Sequence, residues 1–117
     1  MATIKSYTDI EQAKKLAEIL PLESADMYYM ETSPNNYTVS ILQRLERDML
    51  LNQAEYYKMF PCWSLTALLN VLPSATLDSS NDHHFRIHCM ERYTEWYDNA
   101  VDACVEMIMR LNKLKIL

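Results

Sequence analysis

The sequence predicts a small α+β domain: a short antiparallel sheet of about three strands packed against helices, in a single unit spanning residues 1–117. Three observations carry this. A chain of 117 residues, half of them apolar, can build one core and little more. A tryptophan-led apolar run, from Phe60 to Pro73, has the spacing of a short buried helix. Short stretches near Met27, Ile87 and Trp96 combine aromatic or β-branched residues with partial alternation, the pattern of half-buried strands.

The elements follow in chain order. Residues 1–7 are a lead-in. Thr8 and Glu11 stand at capping-box spacing, so a helix is expected from Asp9 to about Leu20. Ile10, Ala13, Ala17 and Leu20 form its apolar face, bordered by Leu16 and Ile19, and Pro21 ends it. Residues 25–32 read as a strand, and Ser33-Pro34-Asn35-Asn36 as a turn or a helix lead-in. From Tyr37 to about Met59 the spacing is mostly helical, with Ile41, Leu45 and Met49 on one line. Asn52-Gln53 offers a break, so one helix or two satisfy the pattern.

In the central run Ser64 is a natural N-cap and Pro73 a stop. Leu65, Leu68, Leu69 and Leu72 share one helical face, which Ala67 and Val71 widen. Only Thr66 and Asn70 are left as a polar edge, and a helix so apolar is buried on most sides. Trp63 packs back on Ala67 or Leu68 as a hydrophobic staple. The alternative for this stripe is a partner groove or ligand wall built on Trp63. Residues 74–82 form a polar loop, expected to be mobile.

Residues 84–90 alternate, with Phe85, Ile87 and Cys89 on one side, and residues 93–97 return as a second strand across a turn at Glu91-Arg92. Phe85, Cys89, Arg92 and Trp96 also fit helical spacing, and the turn lacks its favoured residues, so hairpin and helix both stand. A last helix runs from Ala100 to about Leu114. Asn99 caps it, Asp102 faces its positive pole, and Glu106–Arg110 is a pair one turn apart. Val101, Cys104, Ile108 and Leu111 form its buried stripe, with Met107 and Leu114 at the border.

Two strings carry a family resemblance. Pro61-Cys62-Trp63-Ser64-Leu65-Thr66-Ala67-Leu68-Leu69-Asn70-Val71-Leu72-Pro73 is followed by Asp98-Asn99-Ala100-Val101-Asp102-Ala103-Cys104. Together they resemble a family of small uncharacterised proteins of gut Bacteroides-type bacteria and their phages or mobile elements. The family pattern is roughly Pro-Ala-Trp-Ser-Leu-Ser-Ala-Leu-Leu-x-Val-Leu-Pro, then Asp-Asn-Pro-Val-Asp-Ala-Cys. Here Cys62 replaces the usual alanine and Ala100 the usual proline, and the segment between the motifs is shorter than in many relatives. The resemblance covers the second half of the chain and, more weakly, residues 11–30. It implies a compact α+β domain, favours strands for residues 84–97, and brings no activity.

Composition excludes much of the usual chemistry. Glycine is absent. A Walker loop, a dinucleotide fingerprint and a Gly-x-Ser-x-Gly elbow are therefore ruled out, because each needs close backbone approach or positive φ. Turns requiring positive φ fall to asparagine or aspartate, at Asn35-Asn36, Asn81-Asp82 or Asp98-Asn99. A net charge of −5 argues against nucleic acid as a partner. No apolar run reaches the ~18 residues of a membrane helix, and no basic start precedes an apolar segment as in a signal peptide. Three cysteines without paired spacing suit reduced thiols, so a cytoplasmic location is expected.

Few residues suggest a reaction centre. His84, His88 and Cys89 belong to the one metal-like cluster, but on a strand the two histidines stand about 13 Å apart, too far for one ion. Cys62 sits near a helix start, which can activate a thiol, yet no histidine is adjacent. Glu91, Glu95, Asp98, Asp102 and Glu106 make an acidic run that fits an acid/base pair, a cation site or a solvated face meeting a basic partner. Eight tyrosines and eight methionines suit an adaptable contact surface. The residues therefore point to a non-enzymatic interaction module, and the family resemblance implies an accessory protein of a phage or mobile element. Its partner is expected to be a protein or a second copy, with no cofactor. The alternative is a metal- or thiol-dependent enzyme using His84, His88 and Cys89, or Cys62.

Overall fold

The computed structural model describes residues 5–41 and 59–117. Among them are three α-helices, one 3₁₀ turn and two three-stranded antiparallel sheets, so the α+β class holds.

Helix α1 (Ile10–Ala17) starts at Asp9, not at Thr8. The Asp9 carboxylate accepts from the Gln12 amide at 2.8 Å, and the Gln12 side chain accepts from the Asp9 amide at 3.1 Å. The capping box is thus one residue later than expected. Thr8 is fully buried, and its hydroxyl is committed elsewhere, accepting from the Trp63 amide at 3.2 Å. The buried face of the segment is Ala13, Leu16 and Leu20, with Ala17 turned to solvent. After a 3₁₀ turn at Leu22–Ser24, the chain enters the first sheet.

That sheet contains β1 (Met27–Ser33), β2 (Asn36–Ile41) and β3 (Met59–Cys62), in the order β2-β1-β3. Pro34 and Asn35 turn β1 into β2. Asn35 takes φ of 65°, and proline followed by a positive-φ asparagine is what a type II turn uses. The helical reading from Tyr37 is thereby corrected for residues 37–41, which pair with β1 from Glu31 back to Met27. Tyr37, Thr38, Val39 and Ile41 are good strand formers, and a hairpin partner outweighs the helical spacing of the residues beyond. Residues 42–58 of that reading lie outside the described residues. The expected sheet membership is also corrected. The strand near Met27 pairs with β2 and β3, not with the segments near Ile87 and Trp96.

Helix α2 (Leu65–Val71) is the central helix expected from the sequence. Ser64 caps it, accepting from the Ala67 amide at 3.2 Å, and Leu72 and Pro73 close it. Trp63, Leu68, Leu72 and Ala67 are buried, while Thr66 and Asn70 form the exposed edge. They join Leu16 and Leu20 from the first helical segment and Val101, Cys104, Ile108 and Leu111 in the main core.

The second sheet contains β4 (Thr76–Ser79), β5 (Phe85–Cys89) and β6 (Arg92–Tyr93), in the order β4-β5-β6. Part of the segment read as a mobile polar loop is therefore strand β4, paired from Thr76↔His88 to Ser79↔Phe85. The β5–β6 turn falls at Met90-Glu91, one residue earlier than expected. Both residues have positive φ, 52° and 65°, as a primed two-residue hairpin turn requires. Helix α3 (Ala100–Lys113) covers the inner face of this sheet. Its cap is Asn99, accepting from the Asp102 amide at 2.8 Å, and Met107 is core, not border.

Positive φ falls where glycine would be expected. Asn35 fits the sequence reading, but the others are Ser74, His83, Met90, Glu91 and Lys115, not Asn81, Asp82 or Asp98-Asn99.

Two stability measurements follow. Leu68 is fully buried and Leu69 only partly, so Leu68→Ala lowers stability by about 2–5 kcal/mol and Leu69→Ala by less, read from denaturant unfolding. Replacing Met90-Glu91 by Asn-Gly relieves two unfavourable backbone conformations, so the double variant M90N/E91G melts at a higher temperature, by roughly 1–2 kcal/mol of stability.

Candidate functional site

The outer face of the second sheet carries the most distinctive surface. Alternation along β5 turns Ile87 and Cys89 into the core and leaves Arg86 and His88 outside. Tyr93 pairs with His88 and shares its face, their rings stacked at 4.3 Å. Beyond Tyr93 the chain gains one residue relative to β5. Thr94 bonds to Ile87, its amide donating to the Ile87 carbonyl at 3.0 Å, and Tyr97 bridges Phe85 through two bonds of 2.7 Å. Three steps from Thr94 to Tyr97 thus oppose two from Ile87 to Phe85, a bulge in effect. The bulge reverses the alternation. Tyr97 packs on the core, and Trp96 joins Tyr93 outside.

Arg86 lies between them, its guanidinium carbon 4.3 Å from the Tyr93 ring centre and 4.6 Å from that of Trp96. Its Nε donates to the Asp78 carboxylate at 3.2 Å, from the strand directly opposite. The result is a ladder of His88, Tyr93, Arg86 and Trp96 in which Tyr93 stays 48% exposed and Trp96 44%. Arg110 of α3 donates to the Tyr93 carbonyl at 2.7 Å and ties the short strand β6 to the body.

Beside Trp96 lies a hollow of about 380 Å³, lined by Ser80, Asp82, His84 and Trp96. The Ser80 hydroxyl accepts from the Asp82 amide at 3.3 Å and the His84 amide at 3.1 Å, which fixes its floor. His84 Nε2 is 3.4 Å from the Asp98 carboxylate.

The histidine cluster does not assemble. His84 faces Asp98, His88 is stacked on Tyr93, and Cys89 is buried on the opposite face, donating to the Pro73 carbonyl at 3.1 Å. Among the described residues no group of three or more His, Cys, Asp or Glu is placed to hold a metal ion. Cys62 is fully buried beside Thr8, and its thiol is pushed up to about 11, chiefly by burial. A thiol so placed is a poor nucleophile. Cys104, buried in α3, is likewise pushed up to about 12. The Ser64 hydroxyl donates to Asp26 while capping α2, with no histidine in contact. Asp26 forms part of the wall of a hollow of about 490 Å³ between the 3₁₀ turn and α2, whose floor includes Leu20, Ala67 and Val71. Trp63 does not form a groove wall, since it is wholly buried with its indole N–H donating to Ser24 at 2.9 Å.

None of the family models, curated proteins or solved structures matches the chain.

The acidic run scatters. Glu106 pairs with Arg110 at 2.9 Å, and Asp98 faces His84. Asp102 accepts from Lys5 and Gln12 at 2.8 Å each and from Asn99 at 2.9 Å, joining the chain start, α1 and α3. Burial alone would raise the Asp102 carboxyl. The hydrogen bonds from Lys5, Gln12 and Asn99 outweigh it and hold the group below its ordinary 3.8. The sign follows. Above pH 3.8 the carboxylate is charged in both states, and its folded partners stabilise the protein. As pH falls through 3.8 the unfolded chain takes up the proton first, and the contribution fades until the folded group is protonated too. Asp102→Asn is therefore less stable than wild type by roughly 1–3 kcal/mol at neutral pH, and this gap closes as thermal melts are taken below about pH 4.

Proposed function

We propose that this protein is a non-enzymatic interaction module acting in the cytoplasm, and that its contact surface is the outer face of the β4-β5-β6 sheet. One observation carries the reading: Tyr93 and Trp96 are about half exposed, yet their positions are set by the guanidinium held between them. Tryptophan, tyrosine and arginine are the residues that dominate the energetics of protein interfaces. A surface already ordered in the free protein loses little side-chain freedom on docking. The candidate nucleophiles support the same reading, since Cys62, Cys89 and Cys104 are all buried. No described helix is long and apolar enough to cross a membrane. The two motifs that resemble phage and mobile-element proteins support an accessory role in such an element, with a host or element protein as partner.

The double variant Y93A/W96A tests this. Its circular dichroism matches wild type, because both side chains are peripheral to the core, and its melting falls only modestly, by what the hairpin loses with the stack on His88 and the Arg86 ladder. Partner capture from host lysate, or self-association in analytical ultracentrifugation, weakens about 30-fold or more. A wild-type protein that captures nothing and stays monomeric, or a double variant that binds as well as wild type, overturns the proposal.

A further inference from the structure

We infer that the hollow beside Trp96 receives a lysine or arginine side chain from a basic segment of the protein partner. This rests on the outer face of the second sheet being the contact surface. Three features of the hollow point to a cation. First, Trp96 lines it while Arg86 does not, so it opens on a part of the indole that Arg86 leaves uncovered. Tryptophan is the best aromatic partner for a cation, and Arg86 already uses the same ring in that way. Second, the charge is complementary. Asp82 lines the hollow, Asp98 stands behind His84, and neither lysine nor arginine lines it. The Asp82 carboxylate makes no ion pair among the described residues, whereas Asp78, Asp102 and Glu106 each hold one. Third, the walls are built before binding. Two backbone amides converge on the Ser80 hydroxyl, Ser80 N donates to the His84 carbonyl at 2.9 Å, and His83 takes φ of 61° to close the loop.

The chemistry of recognition is then specific. An ammonium or guanidinium enters against the indole, with the Asp82 carboxylate beside it, while Asp98 stays paired with His84. Trp96 then meets a basic group of its own chain and one of the partner.

The test uses the intact protein and an octa-arginine peptide, with octa-lysine in parallel and octa-glutamate as a control, at low ionic strength. Trp96 is the half-exposed member of the two tryptophans, so peptide binding changes its emission. Calorimetry measures the affinity in the variants. The expected result is saturable binding of the basic peptides that weakens about tenfold in Asp82→Asn and in Trp96→Ala. It stays unchanged in Glu11→Gln, an exposed acid of α1 remote from the sheet. No saturable emission change, or an equal loss in Glu11→Gln, overturns the inference, because any attraction is then diffuse. If Y93A/W96A loses the partner but Asp82→Asn binds both partner and peptide as wild type does, the contact surface stands and the cation site fails. If Y93A/W96A keeps the partner, the surface itself fails.

Discussion

The short stretch from Cys62 to Leu65 is gripped from several sides, and the rest of the structure depends on that grip. The Thr8 amide donates to the Trp63 carbonyl at 2.9 Å, the Trp63 amide returns a bond to the Thr8 hydroxyl, and the Leu65 amide donates to Ser6 at 3.0 Å. Asp26 accepts from the Ser64 amide at 2.9 Å and from its hydroxyl. Upstream, Cys62 ends a strand of the first sheet; downstream, Leu65 begins the helix that enters the main core. Burying the Trp63 side chain contributes roughly 4–6 kcal/mol as an upper figure. That burial is tolerable because the indole N–H has Ser24 as its acceptor. The first sheet and the main core are thus coupled through the Cys62–Trp63 junction, where the last residue of β3 is followed directly by a residue buried in the main core.

The lack of glycine shapes the backbone throughout. Six described residues take positive φ without it, and only Asn35 and His83 are of types enriched there. Such conformations persist only where the surroundings leave no alternative. At Met90-Glu91 the surroundings are visible. The His88–Tyr93 stack, the Arg86 ladder and the Arg110 bond to Tyr93 hold both arms of the hairpin, so its turn must close in the two residues that remain. Packing across the hairpin overrides local preference in the turn.

The same hairpin divides labour between its faces. Ile87, Cys89 and Tyr97 face α3 and the core, while Arg86, His88, Tyr93 and Trp96 face outward. The inserted residue between Tyr93 and Tyr97 makes this division, because a regular strand would have sent Tyr93 and Tyr97 to the same side. The proposed contact surface is therefore a consequence of one bulge. Without it Trp96 would point away from Arg86.

The sequence by itself determined the α+β class, the Ser64-capped leucine helix, the Asn99-capped last helix with its buried stripe, and the strand character near Met27 and Ile87. These are local matters of capping and periodicity, and each is written within a few neighbouring residues. Tertiary structure alone decided which strands share a sheet, since Met27 could have paired with any unsatisfied edge and found Asn36–Ile41 through the Pro34-Asn35 turn. It also decided that polar Thr76–Ser79 is a strand, because pairing with β5 supplies the ordering its composition does not. The site was barely legible. His88 drew notice only within a metal-like cluster and Trp96 only for its strand or helical spacing, Arg86 and Tyr93 carried no signal of their own, and the convergence of the four depends on a shift of one residue in register, which no pattern within a single strand encodes.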